Sequence, residues 1–106
     1  MSFFDKIFGR SNTDSRLEGI WISDIIHETV ERTTMTFTKD GKLIYDIWNG
    51  EKIQRILMTY RTDGNIIYSN QPSHPKEEKT KYNFTDLNTL ILDFEGEISK
   101  FKRQIV

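Results

Sequence analysis

From Leu17 onward the chain repeats one pattern, a short run of alternating apolar and polar residues followed by a turn signal. Alternation with a period of two places every second side chain on the same face of a strand. The turn signals include Asp40-Gly41 and Asn49-Gly50, dipeptides that favour tight hairpins. The pattern predicts eight strands: Gly19–Ser23, Thr33–Lys39, Lys42–Trp48, Ile53–Arg61, Ile66–Asn70, Lys79–Thr85, Thr89–Phe94 and Glu97–Arg103.

The short connections between these runs predict how the strands are arranged. Consecutive strands joined by hairpin-length turns are usually neighbours in the sheet. A meander of eight strands has two exposed edges unless it closes on itself. We therefore expect an all-β fold, an antiparallel meander of about eight strands closed into a small barrel. Residues 71–78, which hold both prolines, are predicted to be the only long loop.

Two segments are less regular. Phe3, Phe4, Ile7 and Phe8 have helical spacing and predict a short N-terminal helix, followed by a polar linker that ends at residue 16. This helix either docks on a membrane surface or a partner, or is a frayed or packed terminus. The stretch 24–32 either extends the first strand or forms a short helix. The predicted organisation is an amphipathic leader and linker at 1–16 and a barrel domain at 17–106.

Composition agrees with the mostly-β prediction. The chain has no alanine, the best helix former, and has fourteen isoleucines, eleven threonines and two valines. It has no cysteine, which excludes disulfides and thiolate sites. The net charge of -1 argues against a nucleic-acid binder held by phosphate neutralisation. With no apolar run near ~20 residues, we expect no transmembrane segment and a cytoplasmic location.

The ends of the predicted barrel resemble a known family. Leu17-Glu18-Gly19-Ile20-Trp21 resembles the Gly-x-Trp opening of the lipocalin and calycin superfamily. Residues 82–92 are similar to the penultimate hairpin of small bacterial lipocalin-like domains, and Phe101-Lys102-Arg103 resembles their closing strand. The resemblance implies a lipocalin-like barrel in which Gly19, Trp21 and Arg103 meet at the closed end. The short strands leave open whether its interior holds a cavity or is filled by side chains.

Aromatic and methionine side chains on the alternating faces are candidates for a ligand-binding interior. A non-enzymatic binding module for a small apolar or amphipathic molecule would use such a lining. An ordinary packed core is the alternative for each residue. A second function hypothesis is a protein-interaction or inhibitor domain of the immunity type, recognising its partner through loop 71–78 or an exposed Trp48. The cavity candidates are Met35, Phe37, Tyr45, Met58, Tyr60, Tyr68, Tyr82, Phe94 and Phe101.

Catalytic chemistry finds little support in the residue pattern. His27 and His74 lie in unrelated segments, whereas a metal or acid–base site needs converging groups. The serines Ser69, Ser73 and Ser99 have no nucleophile motif around them. The carboxylates Asp93, Glu95 and Glu97 flank one hairpin and are more typical of a solvated turn than of paired catalytic acids. We expect no catalytic residue, no metal and no cofactor.

Overall fold

The computed structural model of the protein describes residues 13–23 and 32–104, with His74 described by its backbone alone. Within these ranges the only helical element is a single 3-10 turn, Ser15–Leu17. Eight strands follow it: β1 (Gly19–Ser23), β2 (Arg32–Phe37), β3 (Lys42–Trp48), β4 (Ile53–Asp63), β5 (Ile66–Gln71), β6 (His74–Asp86), β7 (Thr89–Phe94) and β8 (Glu97–Arg103).

The strands form a closed antiparallel barrel in which each strand pairs with the next one along the chain. The last strand, β8, returns to β1 and places Arg103 opposite Trp21 and Lys102 opposite Ile22. The prediction of an eight-stranded all-β meander closed into a barrel is confirmed. Closure pairs every strand on both sides over part of its length and so limits the exposed sheet edge.

One predicted loop is wrong. Residues 74–78 belong to β6, so the connection from β5 is only the turn Pro72-Ser73. Pro75 has no N–H to donate, but it lies where the β5–β6 register shifts, and the Lys76 N–H donates to Asn70 Oδ1 at 3.0 Å. This part of β6 also has no β7 residue beside it. Proline is tolerated in a strand at such a bulge or edge.

Two predicted segments lie outside the described residues: the short helix at residues 3–8 and the irregular stretch 24–32, except for Arg32, which begins β2. Asp14 and Arg16, which the sequence placed in a linker, contact the barrel through Tyr82 and Phe84. Leu17, at the end of the 3-10 turn, is fully buried. Among the described residues, no helix has the length and apolar character required to cross a membrane.

The inward faces of the strands supply the core. Its buried apolar residues are Leu17, Trp21, Met35, Phe37, Leu43, Tyr60, Ile67, Tyr82, Leu90 and Phe101. In β4 both alternating sets of side chains include apolar residues, so the sequence alone does not identify the inner face. The structure turns Met58 and Tyr60 inward and leaves Ile53 and Leu57 largely exposed.

Candidate ligand-binding cavity

One end of the barrel is closed around Trp21. The indole is fully buried, and its Nε1–H donates to the Leu17 carbonyl at 2.8 Å. Its ring packs at a tilt against Phe84, with 5.9 Å between ring centres. The Arg103 guanidinium lies over the indole at 4.2 Å, as the resemblance implied. A large aromatic side chain is thus buried at this end with its polar atom hydrogen-bonded, as is usual for a buried tryptophan.

Arg103 joins three separate parts of the chain at this end. Its guanidinium donates to the carbonyls of Arg16 at 2.6 Å, Glu18 at 2.8 Å and Leu87 at 3.3 Å. Gly19 lies beside this guanidinium and has a φ of +124°. A Cβ atom added to Gly19 would lie only 3.1 Å from Arg103 Nη1. The three residues assigned to barrel closure therefore meet at one place.

Two tyrosines form hydrogen bonds at the same closed end, which is the floor of the barrel. The Tyr60 hydroxyl donates to the Thr38 carbonyl at 2.9 Å. The Tyr82 hydroxyl contacts Asp14 Oδ2 at 2.8 Å and the Gly64 carbonyl at 3.2 Å. Burial, more than any neighbouring charge, raises the pKa of both Tyr60 and Tyr82 to about 12. These hydroxyls stay protonated and tie β4 and β6 to the turns beneath them.

Asp14 anchors the segment that precedes the barrel. Its carboxylate accepts two hydrogen bonds from the Arg16 guanidinium, at 3.0 and 2.6 Å, and one from the Tyr82 hydroxyl. The Arg16 hydrogen bonds lower the pKa of Asp14 to about 2, and they outweigh the opposing effect of burial. The same guanidinium lies 4.8 Å from the centre of the Phe84 ring. This segment therefore packs against the closed end of the barrel.

Beyond this floor the barrel is hollow. A cavity of about 460 Å³ occupies the interior and opens to solvent. Its apolar lining comes from six strands: Met35, Phe37, Leu43, Tyr45, Met58, Ile67, Leu92, Phe94 and Phe101. The interior is therefore not filled by the side chains of the barrel itself.

The remaining lining of the cavity is polar and comes from β5, β6 and β8: Ser69, Gln71, Lys76, Glu78, Thr80, Glu97 and Ser99. Three of these residues carry charge, and two of the three are carboxylates. Glu78 is half-buried opposite Ser69 on the neighbouring strand, and its carboxylate forms no ion pair with another described residue. The cavity thus combines an apolar wall with charged and hydroxyl groups, an arrangement typical of small-molecule sites.

Six of the nine sequence-predicted cavity residues line this space: Met35, Phe37, Tyr45, Met58, Phe94 and Phe101. Tyr60 and Tyr82 lie in the floor instead. The prediction that Tyr68 lines the cavity is wrong, because this side chain is on the outer face of β5. Its ring centre lies 4.1 Å from the guanidinium carbon of Arg61 and 5.8 Å from Lys79 Nζ. The residues on either side of Tyr68, Ile67 and Ser69, are on the inner face of β5 and line the cavity. The period of two then places Tyr68 outside, where the two flanking cations form cation–π contacts with its ring.

Sequence reasoning missed the polar half of the lining because it searched for aromatic and methionine side chains. A usable signal was present in β6. Since Tyr82 was predicted to point inward, a period of two also places Thr80 and Glu78 inside, and both line the cavity. Lys76 follows the same period across the irregular part of the β5–β6 ladder.

The other chemical candidates do not converge on a site. Asp93 Oδ1 accepts the Gly96 N–H at 2.9 Å and caps the β7–β8 turn, whereas Glu97 lines the cavity. These two carboxylates of the hairpin therefore have different surroundings. His27 lies outside the described residues. Over 13–23 and 32–104 no cluster of three or more potential metal-ligating side chains is present.

Comparison with protein-family models, with curated proteins and with solved structures yields no match in any of the three.

Proposed function

We propose that this protein is a non-enzymatic, lipocalin-like binding module that holds a small apolar or amphipathic molecule inside its barrel. The observation that carries the proposal is the open cavity of about 460 Å³ with an apolar wall. Ligand cavities commonly span ~300–1,000 Å³ and are lined mainly by apolar and aromatic groups with a few polar ones. Burial of apolar ligand surface at about 25 cal/mol per Å² would drive binding.

The distribution of the lining favours an amphipathic ligand. An alkyl or ring system would contact Met35, Phe37 and Leu43, which are buried. A polar head group would lie near Lys76 and Glu97, which line the cavity and are exposed to solvent. A charged head left in this wetter region keeps its hydration, whereas its complete burial would be costly.

A direct test is calorimetric titration with three ligands that share a ten-carbon chain: decanol, decylamine and decanoic acid. We expect saturable binding with one site per chain, and a negative heat-capacity change from apolar burial. The variant Ser69→Trp should fill the cavity and weaken binding at least about tenfold, because the added ring takes the space of the ligand.

The matched control places the same residue outside the barrel. Asn83 lies on an exposed position of β6 and is absent from the cavity wall, so Asn83→Trp should bind as the parent chain does. Circular dichroism establishes that both variants are folded, and Ser99→Trp repeats the test from another strand. Failure of the parent chain to bind any of the three ligands would overturn the proposal, as would equal loss of binding in Ser69→Trp and Asn83→Trp.

One observation favours the second candidate, a protein-interaction or inhibitor domain. Trp48 is 41% exposed beside Ile53, which is 67% exposed, on the outer face of the β3–β4 hairpin. Exposed aromatic and aliphatic side chains of this kind are enriched at protein interfaces. Co-purification with the products of neighbouring genes tests this candidate. A specific complex should be weakened by Trp48→Ala and unaffected by Ser69→Trp, and no effect of Trp48→Ala would count against it.

A further inference from the structure

The first half of β4 has a neighbouring strand on one side only. β3 pairs with β4 from Ile53 to Thr59. On the other side, β5 pairs with β4 only from Thr59 to Asp63. Within the described ranges 13–23 and 32–104, β3 is therefore the only strand that pairs with residues 53–58. These six residues of extended chain form an open edge of the barrel.

The ladder geometry shows which backbone groups point out of this edge. The Tyr60 N–H donates to the Gly41 carbonyl at 2.8 Å, so Tyr60 faces β3 with its backbone groups. In an antiparallel pair, residues alternate between facing the partner strand and facing away from it. Counting back from Tyr60, the odd-numbered residues face away: Ile53, Arg55 and Leu57. Their N–H and C=O groups form a template for an added strand.

Two side chains of the same edge are apolar and largely exposed. Ile53 is 67% exposed and Leu57 is 61% exposed on the outer face of the sheet. Between them Arg55 binds Asp46 of β3 through two hydrogen bonds of 2.8 and 3.1 Å. An exposed apolar strand edge readily pairs with another chain. Proteins usually protect such edges with charged side chains, lysine above all, or with proline. Residues 53–58 contain neither lysine nor proline, and their one charged side chain, Arg55, is already paired with Asp46.

We propose that the occupant of this edge is a second copy of the chain, paired antiparallel through β4 about a two-fold axis at Arg55. In this register the outward-facing Ile53 of each copy lies opposite Leu57 of the other. Isologous interfaces need a surface that complements itself under a two-fold rotation. The order apolar, charged, apolar at Ile53, Arg55 and Leu57 reads the same in both directions, so one edge fits another without any change.

The neighbouring strand β3 extends this complementarity. Its register places Ile44 beside Leu57, Asp46 beside Arg55 and Trp48 beside Ile53. The dimer would then carry two apolar rows across four strands, each built from Ile44, Leu57, and the Ile53 and Trp48 of the second copy. The row between them contains two arginines and two aspartates. The like charges at the axis are balanced because each arginine already binds its own aspartate.

The first test is the oligomeric state, measured by sedimentation equilibrium over a range of protein concentrations. We expect a reversible dimer for the parent chain. Leu57→Lys should raise its dissociation constant at least about tenfold, since a cation replaces the apolar side chain in each of the two symmetric Ile53–Leu57 contacts. The matched control is Leu87→Lys, at a turn residue that is 81% exposed and remote from β4 in the barrel. This variant should dimerise like the parent.

A second test determines the register without removing the Arg55–Asp46 pair. The chain has no cysteine, so Ile53→Cys and Leu57→Cys each introduce a single thiol. In hydrogen-bonded antiparallel pairs the Cα atoms are about 5.5 Å apart, a spacing that a disulfide can span. Upon mild oxidation, a mixture of the two variants should form a covalent dimer faster than either variant alone.

Three results of these tests would contradict the proposed dimer or its register. A monomeric parent chain at high concentration would overturn it, and the edge would then be open to an extended segment of another protein. A dimer that resists Leu57→Lys would place the interface elsewhere. Faster cross-linking within either single variant than in the mixture would show a different register or a parallel arrangement.

Discussion

The Arg103 guanidinium lies 4.2 Å from the centre of the Trp21 ring and connects the last strand of the barrel to the first. These two residues are far apart in the chain but opposite each other in the β1–β8 ladder. The guanidinium also donates to carbonyls before β1 and in the β6–β7 turn. One side chain therefore adds non-local contacts to the β1–β8 ladder that closes the barrel.

Trp21→Ala should lower the free energy of unfolding by about 3–5 kcal/mol, the cost of a large-to-small change in a packed interior. Arg103→Ala should cost less, about 2 kcal/mol, because it removes one cation–π contact and its hydrogen bonds to carbonyls. Urea denaturation of both variants measures these costs.

The double variant tests whether the two side chains act together. Residues in contact usually couple by ~0.5–3 kcal/mol, so the combined loss should be smaller than the sum of the two. Strict additivity would contradict a direct stabilising contact between Trp21 and Arg103. Arg103→Ala combined with Leu87→Ala provides the comparison, since the Leu87 side chain is exposed and contributes to the contact only through its carbonyl.

Gly19→Ala should destabilise the barrel by about 1–3 kcal/mol. At φ of +124° a side chain strains the backbone, and the new Cβ atom would lie 3.1 Å from Arg103 Nη1. Thermal unfolding measures the loss. When Arg103 is also replaced by alanine, the part of the stability loss that comes from the steric contact should disappear, whereas the part that comes from backbone strain should remain. Equal stability of Gly19→Ala and the parent chain would contradict this account of the glycine.

Asp14 should make stability depend on pH in the acid range. Its pKa is about 2 in the folded chain against 3.8 for the ordinary group, so the folded state favours the carboxylate. Its contribution, about 2 kcal/mol, is fully present above about pH 5 and is lost as the pH falls towards 2. The stability difference between the parent and Asp14→Asn should shrink over this range.

The cause of the Asp14 shift can be tested separately. Because the Arg16 hydrogen bonds are the largest cause, Arg16→Gln should move the pKa of Asp14 back towards 3.8. Carboxylate carbon chemical shifts followed by NMR titration measure this pKa directly. An unchanged low pKa of Asp14 in Arg16→Gln would show that another group, such as the Tyr82 hydroxyl, stabilises the Asp14 carboxylate.

If the barrel binds amphipathic molecules as proposed, Glu78 should influence their charge preference. The cavity wall carries Lys76, Glu78 and Glu97, a net charge of -1. The parent chain should therefore bind decylamine more tightly than decanoic acid. Glu78→Gln should reduce this preference about fivefold, which corresponds to ~1 kcal/mol for one charge a few ångströms from the head group.

The neighbouring Glu77 provides the control. Its carboxylate is on the outer face, 3.5 Å from Arg61, so Glu77→Gln removes the same charge from the opposite side of the same strand. Calorimetric titration of both variants should show the change only for Glu78→Gln. An equal change in both would indicate a long-range effect of net charge instead of contact inside the cavity.

Much of the fold could be predicted because alternation and turn residues are local properties. The ends of β1, β3, β7 and β8 agree with the predicted runs. Gly41 and Gly50 adopt the positive φ values expected of their hairpins. The start of β6 was missed because Pro75 is a strong signal against a strand. Only the register shift beside Asn70 makes that proline compatible with the sheet.

The sequence by itself determined that the chain forms eight sequential antiparallel strands, since each run needs only its own periodicity and the turn beside it. The tertiary structure decided which face of β4 is inside, why Tyr68 is outside, and that an open cavity remains between the floor and the mouth. It also decided that β4 extends past β5 and leaves an edge. These features depend on register and closure, which are set by contacts between residues distant in the chain, and periodicity along one strand carries no information about them.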